Sequence, residues 1–267
     1  MKTIILCGGH GTRMKEETEF KPKPLVLVGG KPILWHIMKI YAHHGFNEFI
    51  LALGYKGDMI KQYFLNERAF NNNFTLDTKT GEIAFHNGGF DDFKITFVDT
   101  GLSSLTGERV RQLKSYIGNE DFMLTYGDGV GNINMGELVK FHKKQKTIAT
   151  ITGVKPSMRF GFLDINHDTK KVNEFYQHQV TDFSEHNEDD RGYINGGFMV
   201  FQNKIFDFIK PDSMVESVFV PLAKERELSI YIHPGRWKCM DTHKEVEELN
   251  RFYQANPFWK VWDSNNH

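Results

Sequence analysis

Short apolar runs alternate with stretches of helical periodicity through the first half of the chain, and this alternation restricts the fold more than any other feature. "TIILC" (Thr3–Cys7) and "EFILAL" (Glu48–Leu53) have the length and composition of buried strands. Between them, "KPILWHIMKIYAHHG" places Pro32 near a helix start and Gly45 just past its end, with Ile33, Ile37, Ile40 and Tyr41 on one face. "KITFVDT" (Lys94–Thr100) and "DFMLTYGDG" (Asp121–Gly129) supply two more strands, with helical patterns at Thr106–Tyr116 and Asn134–Lys144. Such an order predicts the α/β class: a mostly parallel, twisted sheet with helices on both faces. Ligands of such sheets lie beyond the carboxyl ends of the strands.

The second half changes character. "TIATITGV", "FGFLDI", "INGGFMVF" and "LSIYIH" are strand-like with fewer helices between them, and they predict a mixed β extension of the sheet. Asn71–Phe85 reads as a long turn or small hairpin, and the polar run His178–Tyr193 as a surface loop. A single domain is expected over 1–267: a ligand-binding half at 1–130, a second half at 131–242 for an acceptor, and a C-terminal helix and tail at 243–267. The tail aromatics Phe258–Trp262 are expected to pack on the body or on a neighbouring subunit, the latter favoured if they are exposed. His43 and His44 close a helix, where a cation suits the macrodipole.

A net charge of −1 over 267 residues argues against nucleic acid as a partner. No apolar run approaches the roughly 20 residues of a membrane helix, and a strand starting at Thr3 predicts no leader peptide. The two cysteines, Cys7 and Cys239, form no disulfide framework or metal motif. A reduced, cytoplasmic protein with no membrane partner is expected.

Immediately after the first strand comes "GGHGTRMKEETEFKPKPL". Glycines 8, 9 and 11 can bring backbone N–H groups close to an anion. A dinucleotide fingerprint counted from Gly9 needs glycine where Met14 stands, and no Walker A sequence occurs. Arg13 offers a planar fork and Lys23 a point charge, a pair suited to a triphosphate. The bland alternative is a glycine turn flanked by solvated basic residues.

These residues resemble the signature of the sugar-1-phosphate nucleotidyltransferases. The likeness continues through "KPKPLVLVGGKPILWHIMKIYAHHGFNEFILALGYKG", "VDTGLSSLTGERV", "FMLTYGDGV", "RFGFLDI", "INGGFMVF" and "WKCMDTHKEV". In that order they are similar to the glucose-1-phosphate cytidylyltransferase branch. The resemblance implies a Rossmann-like nucleotidyltransferase fold with an acceptor-binding β extension, and transfer from CTP to a sugar 1-phosphate with release of pyrophosphate. It implies that Leu6, Gly8, Gly9 and Gly11 lie near base and ribose, with Gly127 also at the nucleotide. Thr12, Arg13 and Lys23 would hold the phosphates, Thr106 and Gly107 the base, and Arg109 would reach phosphate. Asp128 and Asp241 would share one Mg2+, with Arg13, Lys23 and Asp128 as the catalytic set. Gly161, His178, Asn195, Gly196 and Lys244 fall at the acceptor side. A homo-oligomer is the family expectation.

The residues themselves leave alternatives. Asp128 between two glycines is also an ordinary turn aspartate, and Asp241 is also a helix cap, although Thr242 could serve equally. The family's Glu-Lys-Pro, which recognises the sugar and its phosphate, is replaced by "YQHQ" (Tyr176–Gln179), and the Leu-Arg after "MDT" by His243-Lys244. A substitute from His178, His186, Arg191 or Lys238 would keep glucose 1-phosphate as acceptor. Otherwise another sugar phosphate or a polyol phosphate takes its place. A nucleotide-binding regulatory subunit without turnover is the non-enzymatic alternative.

Overall fold

The computed structural model describes residues 1–11, 14, 18–86, 89, 91–155, 162–165, 172–176 and 192–263, the two short stretches 162–165 and 172–176 by backbone alone. Seven strands make the main sheet: β1 (Thr3–Leu6), β2 (Glu48–Leu53), β3 (Lys94–Asp99), β4 (Phe122–Tyr126), β5 (Ala149–Val154), β6 (Ile194–Phe201) and β7 (Leu228–Ile232). Their order across the sheet is β7-β5-β6-β4-β1-β2-β3. β6 runs antiparallel to both β4 and β5, and the other neighbouring pairs are parallel. The sheet is thus mostly parallel and mixed, as the strand–helix alternation implies.

Helices cover both faces. They are α1 (Ile33–His43), α2 (Gly57–Asn71), α3 (Thr106–Gln112), α4 (Lys114–Ile117), α5 (Met135–Gln145), α6 (Phe219–Lys224) and α7 (His243–Ala255). Alternate residues of the central strands feed two cores. Ile5, Phe49, Leu51 and Met123 join the apolar face of α1, while Ile4, Leu6, Ile50 and Leu124 join Val110 of α3 and Leu113 just past its end. Burial on both faces explains why these strands read as unbroken apolar runs rather than alternating ones.

Four small ribbons ornament this frame. Gly129–Gly131 pairs with Trp237–Cys239, Leu27–Val28 with Lys31–Pro32, Phe74–Leu76 with Ile83–Phe85, and Phe162–Ile165 with Val172–Tyr176. The third is the hairpin expected within 71–85.

Two local expectations are corrected and one alternative is decided. The helical pattern over Thr106–Tyr116 divides at Leu113, whose backbone (φ −88, ψ 0) ends α3 before α4 begins. The tail aromatics take the first of their two expected places, on the body of the protein. Trp259 is fully buried in the α1 core, and Phe258 and Trp262 pack against the same cluster. A C-terminal turn brings them there, and the indole N–H of Trp259 donates to His36 Nδ1 at 3.3 Å. His44, the C-cap of α1, is held below its ordinary pKa by burial and by His43, so it is a poor cation for the helix dipole.

Candidate active site

The carboxyl ends of β1 and β4 form the floor of an open cleft of about 440 Å3. β1 ends at Leu6, which pairs with Ala52 on one side and Tyr126 on the other, so the chain beyond Leu6 emerges between two neighbouring strand ends. The glycine loop Gly8–Gly11 forms one wall, residues 102–106 a second, and Gly127, Asp128 and Asp241 lie opposite. β1 sits between β4 and β2 although β2 follows it in the chain. This is the crevice where strand order reverses, the usual ligand position in such sheets.

Local chemistry explains the glycine loop. A Cβ on Gly8 would lie 2.3 Å from the guanidinium of Arg109, so a side chain there would displace a buried ion. Gly11 has φ +62, and its Cβ would meet Thr18 at 2.6 Å. Thr18 in turn donates to the Gly11 carbonyl at 3.0 Å, which fixes the far end of the loop.

Lys23 opens a 3-10 turn, Lys23–Leu25, between Pro22 and Pro24. The prolines restrict the backbone, and Leu25 N–H donates to the Pro22 carbonyl at 2.8 Å. The side chain then projects to the cleft, where Nζ donates to Asp128 Oδ2 and to Asp241 Oδ1, both at 2.7 Å. Burial lowers the Lys23 pKa, but the charges and hydrogen bonds of the two aspartates outweigh it and hold the ammonium above its ordinary value.

Asp128 and Asp241 meet through backbone pairing. Gly129 faces Cys239 in the ribbon after β4, and Met240 N–H donates to the Asp128 carbonyl at 2.9 Å. Thr242, not Asp241, is the N-cap of α7. The Glu245 carboxylate reaches back to accept from Asp241 N–H at 2.7 Å and Thr242 N–H at 2.8 Å. That capping box leaves the Asp241 carboxylate available to the cleft and removes the helix-cap alternative.

Residues 2–256 match the family described as Nucleotidyl transferase. The chain is 47% identical over 266 residues to a Bacillus subtilis (strain 168) protein named "Probable glucose-1-phosphate cytidylyltransferase", spanning 98% of this chain and 100% of the relative. It is 39% identical over 267 residues to the glucose-1-phosphate cytidylyltransferase of Salmonella typhimurium, with the same 98% and 100% coverage. The chain belongs to the nucleotidyl transferase family. The sequence resemblance to the cytidylyltransferase branch is borne out by these identities, and the protein is a nucleotidyltransferase. The crystal structure of HddC from Yersinia pseudotuberculosis complexed with GMP-PN shares the fold, with TM-score 0.66 and 22% identity over 94% of this chain and 99% of that one.

Within this nucleotidyltransferase, Leu6, Gly8, Gly9, Gly11, Lys23, Thr106, Gly127, Asp128 and Asp241 come together around the cleft. Thr12, Arg13, Gly161 and His178 lie outside the described residues, as do Gln177 and Gln179 of the "YQHQ" segment.

Arg109 also lines the cleft, yet its fork is turned into the frame. It donates to the carbonyls of Leu53 (2.9 Å), Gly101 (2.8 Å) and Gly8 (3.0 Å) and to Thr100 Oγ1 (2.6 Å). Only 4% exposed, it ties the glycine loop to the ends of β2 and β3 instead of reaching out for a phosphate. Gly107 is likewise a packing residue. Its N–H donates to the Ser213 carbonyl at 2.9 Å, and a Cβ would lie 2.7 Å from that oxygen.

On the acceptor side, Asn195 accepts from Gly197 N–H at 2.9 Å, and the Gly196 carbonyl accepts from Trp237 Nε1 at 2.8 Å. Lys244 is exposed on the first turn of α7. None of these three lines the cleft. Lys238 pairs with Glu248 of α7, so its charge is already matched there.

Two participants were not anticipated. Tyr126 lines the cleft and donates its hydroxyl to Glu216, which also accepts from Thr106 Oγ1 at 3.4 Å. Burial, reinforced by Glu216, pushes the Tyr126 pKa far up, so it remains a donor. No motif marks this pair, because the partners are brought together by strand and turn from distant positions. Glu245 was legible, since Thr242-x-x-Glu245 before an apolar pattern is a capping-box sequence.

Proposed function

We propose that this nucleotidyltransferase joins CTP to glucose 1-phosphate, giving CDP-glucose and pyrophosphate. The observation that carries the reading is the convergence of Lys23, Asp128 and Asp241 beside a glycine loop, in a chain 47% identical from end to end to a relative named for that reaction.

The triphosphate lies along the glycine loop, where backbone N–H groups face its oxygens and Lys23 and Arg13 offset its charge. An oxygen of the glucose 1-phosphate group attacks the α-phosphorus of CTP. The new P–O bond forms as the bond to the bridging oxygen of the β-phosphate breaks, and pyrophosphate departs with that electron pair. The attacking phosphate is already anionic, so no general base is required. Catalysis is then positioning and charge stabilisation.

Asp128 and Asp241 fit a magnesium ion. Two hard carboxylates converge on one cation, leaving positions for water and phosphate oxygens, which is how magnesium is usually held. Among the described residues no group of three or more His, Cys, Asp or Glu forms a closed metal cage. Bound there, the ion would supply further neutralisation of the phosphates.

The same reading places the protein in the cytoplasm, and no helix among the described residues is long and apolar enough to cross a membrane. It also includes a homo-oligomer. Light scattering after size exclusion would test it, and a monomer at micromolar concentration would refute it.

Pyrophosphate release tests the reaction, with CTP, UTP, dTTP and ATP each offered against glucose 1-phosphate, other hexose 1-phosphates and polyol phosphates. CTP with glucose 1-phosphate should be fastest. Turnover with CTP and a different acceptor would move the specificity to that acceptor. Silence with all of them would end the enzymatic reading.

A further inference from the structure

The carboxylates assigned to the metal already hold a cation, and it belongs to the chain. Lys23 Nζ lies 2.7 Å from Asp128 Oδ2 and 2.7 Å from Asp241 Oδ1, bridging them. A magnesium ion bound to both would sit about 2 Å from each oxygen, in the same gap. Ammonium and metal therefore exclude each other from this position by space and by like charge.

We propose that Lys23 is a built-in occupant of the cation site, and that it leaves only when a nucleotide triphosphate in the cleft offers its ammonium another anion. Metal and nucleotide then enter as a coupled pair, and metal alone binds poorly. The proposal rests on the reaction assigned above, which needs a cation at these carboxylates.

Three observations support an exchange by the side chain alone. The Lys23 backbone is held in its 3-10 turn between two prolines, so the root of the side chain is fixed. Its stem opens onto the cleft beside the glycine loop, where the triphosphate is placed. Asp241 is secured independently through Glu245, which grips its backbone N–H, so the carboxylate stays in position when the ammonium departs. Before substrate arrives, Lys23 places a positive charge between the two carboxylates. Afterwards, the same charge serves the phosphates. Reciprocity follows: whatever factor nucleotide adds to metal affinity, metal adds to nucleotide affinity.

The test is Mn2+ binding followed by electron paramagnetic resonance of the free ion, with and without the α,β-methylene analogue of CTP. Wild type, Lys23→Met and Lys23→Gln are compared, each checked for native circular dichroism. Without nucleotide, both variants should bind Mn2+ at least about tenfold more tightly than wild type, since a positive charge has left the site. Adding Asp128→Asn should abolish that gain. Wild-type affinity for Mn2+ alone equal to that of the variants overturns the proposal, as does a gain that survives Asp128→Asn. If wild type binds Mn2+ tightly alone yet turns over CTP and glucose 1-phosphate, Lys23 is not the occupant and the reaction stands. If the affinities behave as expected but no nucleotide pair turns over, the occupant stands and the reaction falls.

Discussion

Lys23 and His36 are basic side chains thirteen positions apart in the first forty residues, and both are completed by the C-terminal segment. One is kept charged and the other neutral. Lys23 meets Asp241, with 14% of its side chain still exposed at an open cleft. His36 meets Trp259 and has no exposure at all. Its Nε2 donates to the Val28 carbonyl at 2.8 Å, and its Nδ1 accepts from the Trp259 indole at 3.3 Å. Burial pushes the His36 pKa down to about 4, with Lys260 and Lys31 adding to the shift and the Val28 bond opposing it. The difference lies in partners. Where carboxylates and water remain within reach, the chain keeps a charge that can change partners. Where packing is dry, it uses a neutral ring whose two nitrogens are satisfied once each.

The sharpest way to separate the two sites is to disable one at a time. Asp128→Asn should lower kcat about a thousandfold, because charge stabilisation at the transferred phosphate is worth several kcal/mol. Its thermal midpoint should stay within a few degrees of wild type. A rate within tenfold of wild type in the pyrophosphate assay would remove Asp128 from the reaction.

Trp259→Ala should do the reverse. A fully buried tryptophan replaced by alanine costs about 3–4 kcal/mol of stability by urea unfolding. If the variant unfolds at the wild-type midpoint, the tail does not contribute to the core as described.

Acid should discriminate the sites next. An unfolded histidine has a pKa near 6.5, so between about pH 6.5 and 4 the unfolded chain binds the proton that folded His36 refuses. Stability is therefore full above that window and falls as pH drops through it, by about 3 kcal/mol for His36 alone. His44, His142 and His233 are shifted in the same direction by burial. Urea midpoints at pH 7.5 and 4.5 should separate less in His36→Gln than in wild type. An equal separation would assign the acid sensitivity elsewhere.

The smallest effect expected is at the support of Asp241. Thr242→Ala should destabilise the fold by about 1 kcal/mol through loss of the α7 cap. It should also weaken Mn2+ binding measured with the nucleotide analogue, while Thr242→Ser restores both. Unchanged Mn2+ affinity would show that Asp241 needs no help from the cap.

Much of this was readable beforehand. Strands such as Glu48–Leu53 carry enough unbroken apolar sequence to be assigned without neighbours, because both faces of a central parallel strand are buried. The glycine loop and Lys23 were legible because their pattern is local, within a strand end and the turn after it. Arg109 was harder. A guanidinium written close to a glycine loop looks like a phosphate partner until five backbone and hydroxyl oxygens are seen around it.

By itself, then, the order of residues determined the class of fold, the glycine loop, and the residue types gathered around the cleft. Those properties depend on periodicity, glycine's missing side chain and short-range turns, all of which act between near neighbours. The tertiary structure decided that Thr242 rather than Asp241 caps α7, that Arg109 braces the loop, that Trp259 closes over His36, and that Lys23 rests between two carboxylates. Each of these joins segments distant in the chain through β pairing or burial, and no local pattern records where a distant partner will arrive.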